Sequence, residues 1–391
     1  VQEKLGKGEA ELFILASGAG YIYVREEVAN LDIPCKILKL GFSQPFPTQL
    51  LVSFIKEAKR LMVVEELEPV LENEVGRLAK DANPGLEIVG KHSGHFSRLL
   101  EYTPDTIKDA LLKMGYAPRR RENLDARVEK LPLPSRPPAL CAGCPHRSTY
   151  YAVKQALKKK KVKLEDAVFA TDIGCYTLGL QPPLSAADFL LCMGSSAGTP
   201  GGFSKATDQK VFGFVGDSTF FHAGVPGLIS GVYNRHDFTY VIMDNRTTAM
   251  TGHQPNPGMG RTAMGEETEE ADISKICKGI GVKFVETVDP YDIPATTDVF
   301  ERALEHEGVG VVIPKHPCAL LEIRDIKREK GKLDKYTIDQ DKCRKCHICL
   351  NTYACPAMFK KGRDVFIDEA QCVGCKTCTF VCPFGAIVKK E

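Results

Sequence analysis

Residues 210–256 read KVFGFVGDSTFFHAGVPGLISGVYNRHDFTYVIMDNRTTAMTGHQPN. An apolar run, Val211–Val215, ends in Gly216-Asp217-Ser218, as a buried strand does where it meets a phosphate-binding turn. A helical segment is expected over Phe220–Asn234, and a second apolar run, Phe238–Met243, ends in Asp244-Asn245. Strand, helix, strand is the crossover unit of a parallel sheet. Asp217 and Asn245 therefore fall at the same C-terminal edge of two neighbouring strands, where α/β sheets bind ligands. A carboxylate and an amide oxygen are hard ligands suited to Mg²⁺, which keeps substrate phosphate oxygens in its shell. The plainer alternative is an ordinary βα turn capped by Asp217.

The same pair resembles the thiamine diphosphate signature, Gly-Asp-Gly followed some way on by Asn, with Ser218 in place of the last glycine. That resemblance implies Asp217, the Asn245 side chain and the Thr247 carbonyl as Mg²⁺ ligands. It also puts Gly216 and Ser218 in the cofactor-binding turn.

At the C-terminal end, Cys372-x2-Cys375-x2-Cys378-x3-Cys382-Pro383 is the bacterial ferredoxin run, and Cys343-x2-Cys346-x2-Cys349-x5-Cys355-Pro356 is a variant of it. Ile338-Asp339 stands before the first run as Ile367-Asp368 does before the second, an offset of 29 residues. Three closely spaced thiolates wrap one face of a cubane, and the fourth of each run ligates the other cluster. Cys343, Cys346, Cys349 and Cys382 are thus expected to hold one [4Fe–4S] cluster, and Cys372, Cys375, Cys378 and Cys355 the second. Zinc, the alternative, favours two CxxC pairs or mixed Cys/His sets. The five-residue spacer before Cys355 requires a different local loop.

Residues 1–116 alternate apolar runs (Leu12–Ala16, Cys35–Leu40, Leu61–Glu65, Leu86–Val89) with amphipathic segments (Tyr21–Asn30, Thr48–Lys59, Pro69–Ala82, Asp105–Met114), the pattern of a parallel sheet with crossover helices. Ser17-Gly18-Ala19-Gly20 reads as a tight turn. The segment resembles a transketolase C-terminal-type domain, which implies a role in subunit packing. Residues 117–138 are arginine-rich and then proline-rich, and proline stiffens a linker; Arg119–Arg121 reads as a solvated face. Residues 139–328 form the second α/β domain, with strands near Ala167–Thr171, Val211–Val215, Phe238–Met243, Val282–Val285 and Gly310–Ile313. A lysine-rich hinge, Lys327–Lys335, leads into the cluster domain, 329–391. The fold class is α/β: two parallel-sheet domains, transketolase C-terminal-like and thiamine diphosphate-binding, plus a C-terminal α+β two-cluster ferredoxin domain.

Composition limits the alternatives. The 391 residues are 43% hydrophobic and 26% charged, with a net charge of +2. Those are the proportions of a globular protein, with no global field directed at nucleic acid or membrane. No apolar run approaches the ~18 residues of a membrane span, and no signal-peptide pattern is present. Of 15 cysteines, eight lie between Cys343 and Cys382 at cluster spacing, which argues for a reducing, cytoplasmic setting. The chain opens at Val1 inside what reads as a connecting segment, as a processed, truncated or partial product does.

Cys141-Ala-Gly-Cys144-Pro-His146 and Asp172-Ile-Gly-Cys175 complete the pattern. With the thiamine signature and the ferredoxin runs they resemble the 2-oxoacid:ferredoxin oxidoreductases, and among them the large (alpha) subunit of the indolepyruvate:ferredoxin oxidoreductase family. The resemblance covers essentially the whole chain. It implies that Cys141, Cys144 and Cys175 are candidates for a third cluster beside the cofactor, with Cys192 and Cys318 as candidates for a fourth ligand. Buried cysteines without iron are the alternative. It also implies that His146 lies near the cofactor and polarises the substrate carbonyl; a structural histidine is the competing reading.

The implied reaction is oxidative decarboxylation of an aryl pyruvate to arylacetyl-CoA and CO₂, with thiamine diphosphate, Mg²⁺ and [4Fe–4S] clusters carrying electrons to ferredoxin. The implied partners are a smaller beta subunit, ferredoxin, coenzyme A and the 2-oxoacid. A chain or segment must also supply the pyrimidine-binding domain, which no residues before Val1 provide. Across residues 331–391, 11 basic side chains face 7 acidic ones, a balance suited to an acidic ferredoxin. Two rivals remain at this point: an enzyme of the same superfamily using pyruvate or a branched-chain acid, and a non-catalytic iron–sulfur electron-transfer module. Thr248, Thr251 and His253 are candidates for the pocket rim.

Overall fold

The computed structural model describes residues 2–31, 33–117 and 137–390; most of the expected 117–138 linker, including Arg119–Arg121, lies outside the described residues. The chain divides into two compact units, residues 1–134 and 135–391.

The first unit is a five-stranded sheet in the order β1-β3-β2-β4-β5. Strands β2 (Leu12–Ser17), β3 (Cys35–Leu40), β4 (Arg60–Val64) and β5 (Glu87–Val89) run parallel; β1 (Gln2–Leu5) adds an antiparallel edge that the alternating pattern did not announce. Successive side chains of a strand face opposite ways. Leu12, Ile14 and Ala16 accordingly pack on α1 (Gly20–Val28) and α4 (Pro104–Lys113), while Phe13 and Leu15 pack on α2 (Thr48–Lys56) and α3 (Val70–Ala82).

The second unit holds a six-stranded, wholly parallel sheet in the order β10-β11-β9-β8-β6-β7. Its members are β6 (Ala167–Thr171), β7 (Phe189–Leu190), β8 (Lys210–Gly216), β9 (Phe238–Met243), β10 (Phe284–Val288) and β11 (Val309–Pro314). Helices cover both faces, so β9 and β11 are buried throughout, as their continuous apolar runs require. One face of Phe212, Phe214, Val241 and Met243 meets α5 (Pro145–Lys159); the other, with Val211, Val215, Tyr240 and Ile242, meets α6 (Ser195–Ala206) and the helix after β8. From β6 the chain steps outward to β7 and then back past β6 to β8. The order of the strands reverses between β6 and β8, which is where open α/β sheets form their ligand crevice.

Local departures from the sequence reading have local causes. Helical backbone starts at Asp217 rather than Phe220 and passes through a π-turn, Phe220–Gly224, before α7 (Val225–Tyr233). Such turns recur at functional sites. Strand β10 starts at Phe284 rather than Val282, because α8 (Ile273–Ile280) ends on Gly281 at φ +104 and the Val282 amide is spent on the Cys277 carbonyl. After α9 (Ile293–Glu305), the lysine-rich hinge is helical as far as Lys330, the end of α10 (Ala319–Lys330).

The C-terminal region carries two antiparallel ribbons, β12 (Tyr336–Ile338) with β15 (Ile387–Lys389) and β13 (Met358–Lys361) with β14 (Asp364–Ile367). The 29-residue repeat is visible in its bonding. The Cys343 amide donates to the Asp339 carbonyl at 3.0 Å and the Cys372 amide to the Asp368 carbonyl at 2.8 Å. The longer spacer forms a π-turn, Cys349–Tyr353, closed by Ala354 at φ +48, whereas the second half uses a short 3₁₀ turn, Thr377–Phe380.

Arg147, 3% exposed, ties this region to α5. It donates to the Tyr353 and Ala354 carbonyls at 3.0 and 2.7 Å and to the Leu140 carbonyl at 2.6 Å. A buried charged donor leaves unpaired acceptors when removed. Arg147→Ala is expected to cost roughly 2–4 kcal/mol and to loosen the ferredoxin-type region. The check is anaerobic denaturant unfolding, and a variant within about 0.5 kcal/mol of the parent would refute it.

Candidate functional site

The C-terminal edge of the six-stranded sheet presents a row of polar residues, one loop per strand: Asp172 after β6, Asp217 after β8, Asp244-Asn245 after β9 and Lys315 after β11. Asp217 and Asp244 are 2% and 4% exposed. Burial, followed by the Asp244 carboxylate, pushes the Asp217 carboxyl up, and burial pushes Asp244 up as well. Two buried carboxylates this close favour a cation between or beside them.

Asp217, Asn245 and Thr247 meet. The Asn245 carboxamide atom that points into the turn lies 2.7 Å from the Thr247 carbonyl oxygen and 3.3 Å from Asp217 Oδ1. As nitrogen that atom donates to both; as oxygen it completes a cluster of three. Oxygens on adjacent corners of a Mg²⁺ octahedron are about 3 Å apart, given metal–oxygen bonds near 2.1 Å, so the two separations from the Asn245 atom suit neighbouring ligands of such an ion. Asp217 Oδ2 is held by Asn256 Nδ2 at 3.0 Å and Oδ1 by the Ser218 amide at 2.8 Å. Ser218 sits in the first helical turn, so its replacement of glycine requires no left-handed backbone. Among the described residues no three His, Cys, Asp or Glu groups are placed to hold one ion; a set of one carboxylate, one amide and one carbonyl is of a different kind.

Beneath the turn lies a contact that the sequence did not announce. Tyr176 donates to Asp172 Oδ1 and stands 3.3 Å from the Thr219 hydroxyl. A methyl added at Gly216 would come 2.7 Å from the Tyr176 ring. Asp172 Oδ2 in turn accepts from the Gly194 amide at 2.9 Å and the Ser196 hydroxyl at 2.6 Å, capping α6.

Two adjoining cavities open here. One, about 100 Å³, is lined by Gly216, Asp217, Ser218, Asn245, Thr247, Thr248 and Thr251. The other, about 210 Å³, is lined by Cys141, Cys144, Cys175, Cys318 and His253. His146, Cys175, Asn245, Ala249 and Met250 line both. His146 is 3% exposed, and burial lowers its imidazole to about 4, so it is neutral at pH 7. Of the fourth-ligand candidates, Cys318 lines the thiol cavity, and its amide donates to the Asn245 carbonyl at 2.9 Å; Cys192 is exposed and lines neither cavity.

The ferredoxin-type cysteines separate into two sets. Cys343, Cys346, Cys349 and Cys382 surround one small cavity; Cys355, Cys372, Cys375 and Cys378 surround another, which Ala142 and Gly143 also line.

The fold and these sites define an α/β thiamine-type domain joined to a ferredoxin-type cluster domain. Residues 172–313 match the family described as thiamine pyrophosphate enzyme, C-terminal TPP binding domain, and residues 365–388 match the 4Fe-4S binding domain. The chain is 45% identical over 382 residues to the indolepyruvate oxidoreductase subunit IorA of Methanothermobacter thermautotrophicus, covering 98% of this chain and 60% of that one. With IorA of Archaeoglobus fulgidus it shares 42% over 386 residues, and with that of Pyrococcus horikoshii 40% over 408 residues, covering 60% and 61% of those chains. The chain is thus similar to the IorA subunits along nearly its whole length and spans about 60% of the length of these relatives. No helix among the described residues is long and apolar enough to cross a membrane.

Gly216→Ala forces the turn against the Tyr176 ring and is expected to lower stability by about 1–3 kcal/mol. A Gly216→Ala/Tyr176→Ala double variant should destabilise by less than the sum of its two single variants. Thermal unfolding checks both, and strictly additive effects would refute the contact.

Proposed function

We propose that this chain forms the thiamine- and cluster-binding part of an indolepyruvate:ferredoxin oxidoreductase, converting aryl pyruvates to arylacetyl-CoA and CO₂. The observation that carries the cofactor assignment is the meeting of the Asn245 side chain with both Asp217 and the Thr247 carbonyl at the end of the buried strands. These three groups hold Mg²⁺ and, through it, the diphosphate, over the turn Gly216-Asp217-Ser218. Thiamine diphosphate supplies the electron sink for decarboxylation of a 2-oxoacid. The aryl preference rests on the name of the relatives, indolepyruvate oxidoreductase.

The chain's own residues prepare that chemistry. Neutral His146 stands on the wall between the two cavities, where it can donate to a substrate oxygen without adding charge. Cys141, Cys144 and Cys175 hold a third cluster, and Cys318 is the fourth ligand because it shares their cavity. Cys372, Cys375, Cys378 and Cys355 hold a second cluster against the Ala142-Gly143 loop. Cys343, Cys346, Cys349 and Cys382 hold the remaining one; Cys346 is exposed, and Phe384, which lines the same cavity, is half-exposed. The basic balance of residues 331–391, 11 basic to 7 acidic side chains, suits docking of an acidic ferredoxin on this region. The smaller beta subunit, coenzyme A and a pyrimidine-binding segment with its activating carboxylate complete the enzyme. Its setting is cytoplasmic.

Asp217→Ala should abolish Mg²⁺-dependent thiamine diphosphate binding by calorimetry while leaving the cluster absorbance intact. The same substitution should remove indolepyruvate- and coenzyme A-dependent reduction of ferredoxin under anaerobic conditions. Binding that survives the substitution would sink the assignment.

Iron content tests the third cluster separately. The parent should carry roughly 12 iron atoms per chain, at four per cubane, and Cys318→Ala should lose about a third of them, whereas Cys192→Ala should lose none. An unchanged content in Cys318→Ala would remove the third cluster from the scheme.

A further inference from the structure

Arg246, between Asn245 and Thr247, holds φ +61, the left-handed region, although it is not glycine. This reversal lets the side chain of one neighbour, Asn245, meet both Asp217 Oδ1 and the carbonyl of the other, Thr247, at 3.3 and 2.7 Å. An L-residue with a side chain disfavours that conformation, and it persists only where surrounding groups enforce it. The enforcing group is 24 residues away: Glu270 takes the Arg246 guanidinium at both ends, Nη1 to Oε1, and Nη2 to Oε2 at 2.8 Å. Planar two-point pairing of this kind fixes direction as well as distance.

Glu270 is itself anchored. Its Oε1 also accepts from Lys315 Nζ at 3.1 Å, and Lys315, at the end of β11, stands 3.8 Å from Asp244 Oδ2. The Arg246 amide donates to Asp244 Oδ1 at 3.1 Å. The loops after β9 and β11 and the segment carrying Glu270 therefore close one charged brace around the backbone of the turn.

We infer that Glu270 is a positioning residue: through Arg246 it holds the left-handed turn that aims the Asn245 amide and the Thr247 carbonyl at Asp217, and so sets the affinity for the divalent cation and diphosphate. The inference rests on the proposed Mg²⁺–thiamine diphosphate reading of that turn. Glycine adopts positive φ without a brace, so it separates positioning from general support.

The experiment is calorimetric titration of metal-stripped chain with thiamine diphosphate at fixed Mg²⁺, for the parent, Glu270→Ala, Arg246→Gly and Arg246→Gly/Glu270→Ala. Glu270→Ala should weaken binding about tenfold, the size of one left-handed penalty on a non-glycine residue. Arg246→Gly and the double variant should both return to within about threefold of the parent. Parent affinity in Glu270→Ala overturns the inference. So does a double variant that binds as weakly as Glu270→Ala, because Glu270 then acts other than through Arg246. A parent chain that shows no Mg²⁺-dependent binding overturns the site reading and this inference with it, whereas failure of the variants alone leaves the site reading standing.

Discussion

Two carboxylates buried side by side govern this structure. Asp217 and Asp244 end adjacent parallel strands, and the register of β8 on β9 leaves them no distance to escape. Without compensation such a pair keeps a proton or expels water at a cost of several kcal/mol. The surroundings are built as the answer. Asn256 and the Ser218 amide take the oxygens of Asp217, while the Arg246 amide and Lys315 attend to Asp244. The Asn245 carboxamide stands beside them, 3.3 Å from Asp217 Oδ1 and 2.7 Å from the Thr247 carbonyl oxygen. Buried carboxylates of this kind cluster at functional sites, and the proposed cation site accounts for the pair.

The parts legible in the sequence are those in which short-range pattern and chemistry coincide. Apolar runs that end in Gly216-Asp217 and Asp244-Asn245 located the strand ends, because a parallel strand buried on both faces cannot alternate. Cysteine spacing grouped the thiols that line each of the two small cavities, because a short loop leaves three closely spaced thiols little choice of neighbour. Residues whose role depends on contact through space were not legible. Tyr176 beneath Gly216, Asn256 on Asp217 and Glu270 on Arg246 join loops separated by tens of residues, and nothing in their neighbourhoods sets them apart from ordinary polar surface. Asp244 could have been found, since it extends an apolar strand directly into the motif and a carboxylate there is poorly placed for anything but charge.

The duplicated cysteine runs show how one spacing change is absorbed. In the second run the chain returns to its last cysteine through a short 3₁₀ turn; in the first, two further residues are taken up by a π-turn that ends with Ala354 in the left-handed region. The carbonyls freed there are the ones Arg147 reaches, at Tyr353 and Ala354. An insertion in the cluster domain is thereby turned into the anchor of that domain on α5, whose first turn carries His146 and follows Cys144 directly. Variation in the spacer and the position of the thiol cavity are thus linked through one guanidinium.

That linkage bears on why three sets of cysteines occupy one compact unit. A hinge between the α/β part and the ferredoxin-type part would let the separations between these thiol sets vary. The chain removes the hinge: α10 runs on to Lys330, Tyr291 donates to the Gly143 carbonyl, and Ser148, Tyr353 and Thr377 form a hydroxyl chain with steps of 3.0 and 2.6 Å. Val373 packs so closely on Gly143 that a methyl there would come 2.3 Å from it. The loop between Cys141 and Cys144 is therefore clamped on the α/β side by Tyr291 and on the cluster side by Val373. The requirement for glycine at position 143, which also holds φ +74, is the requirement that two thiol sites share a wall.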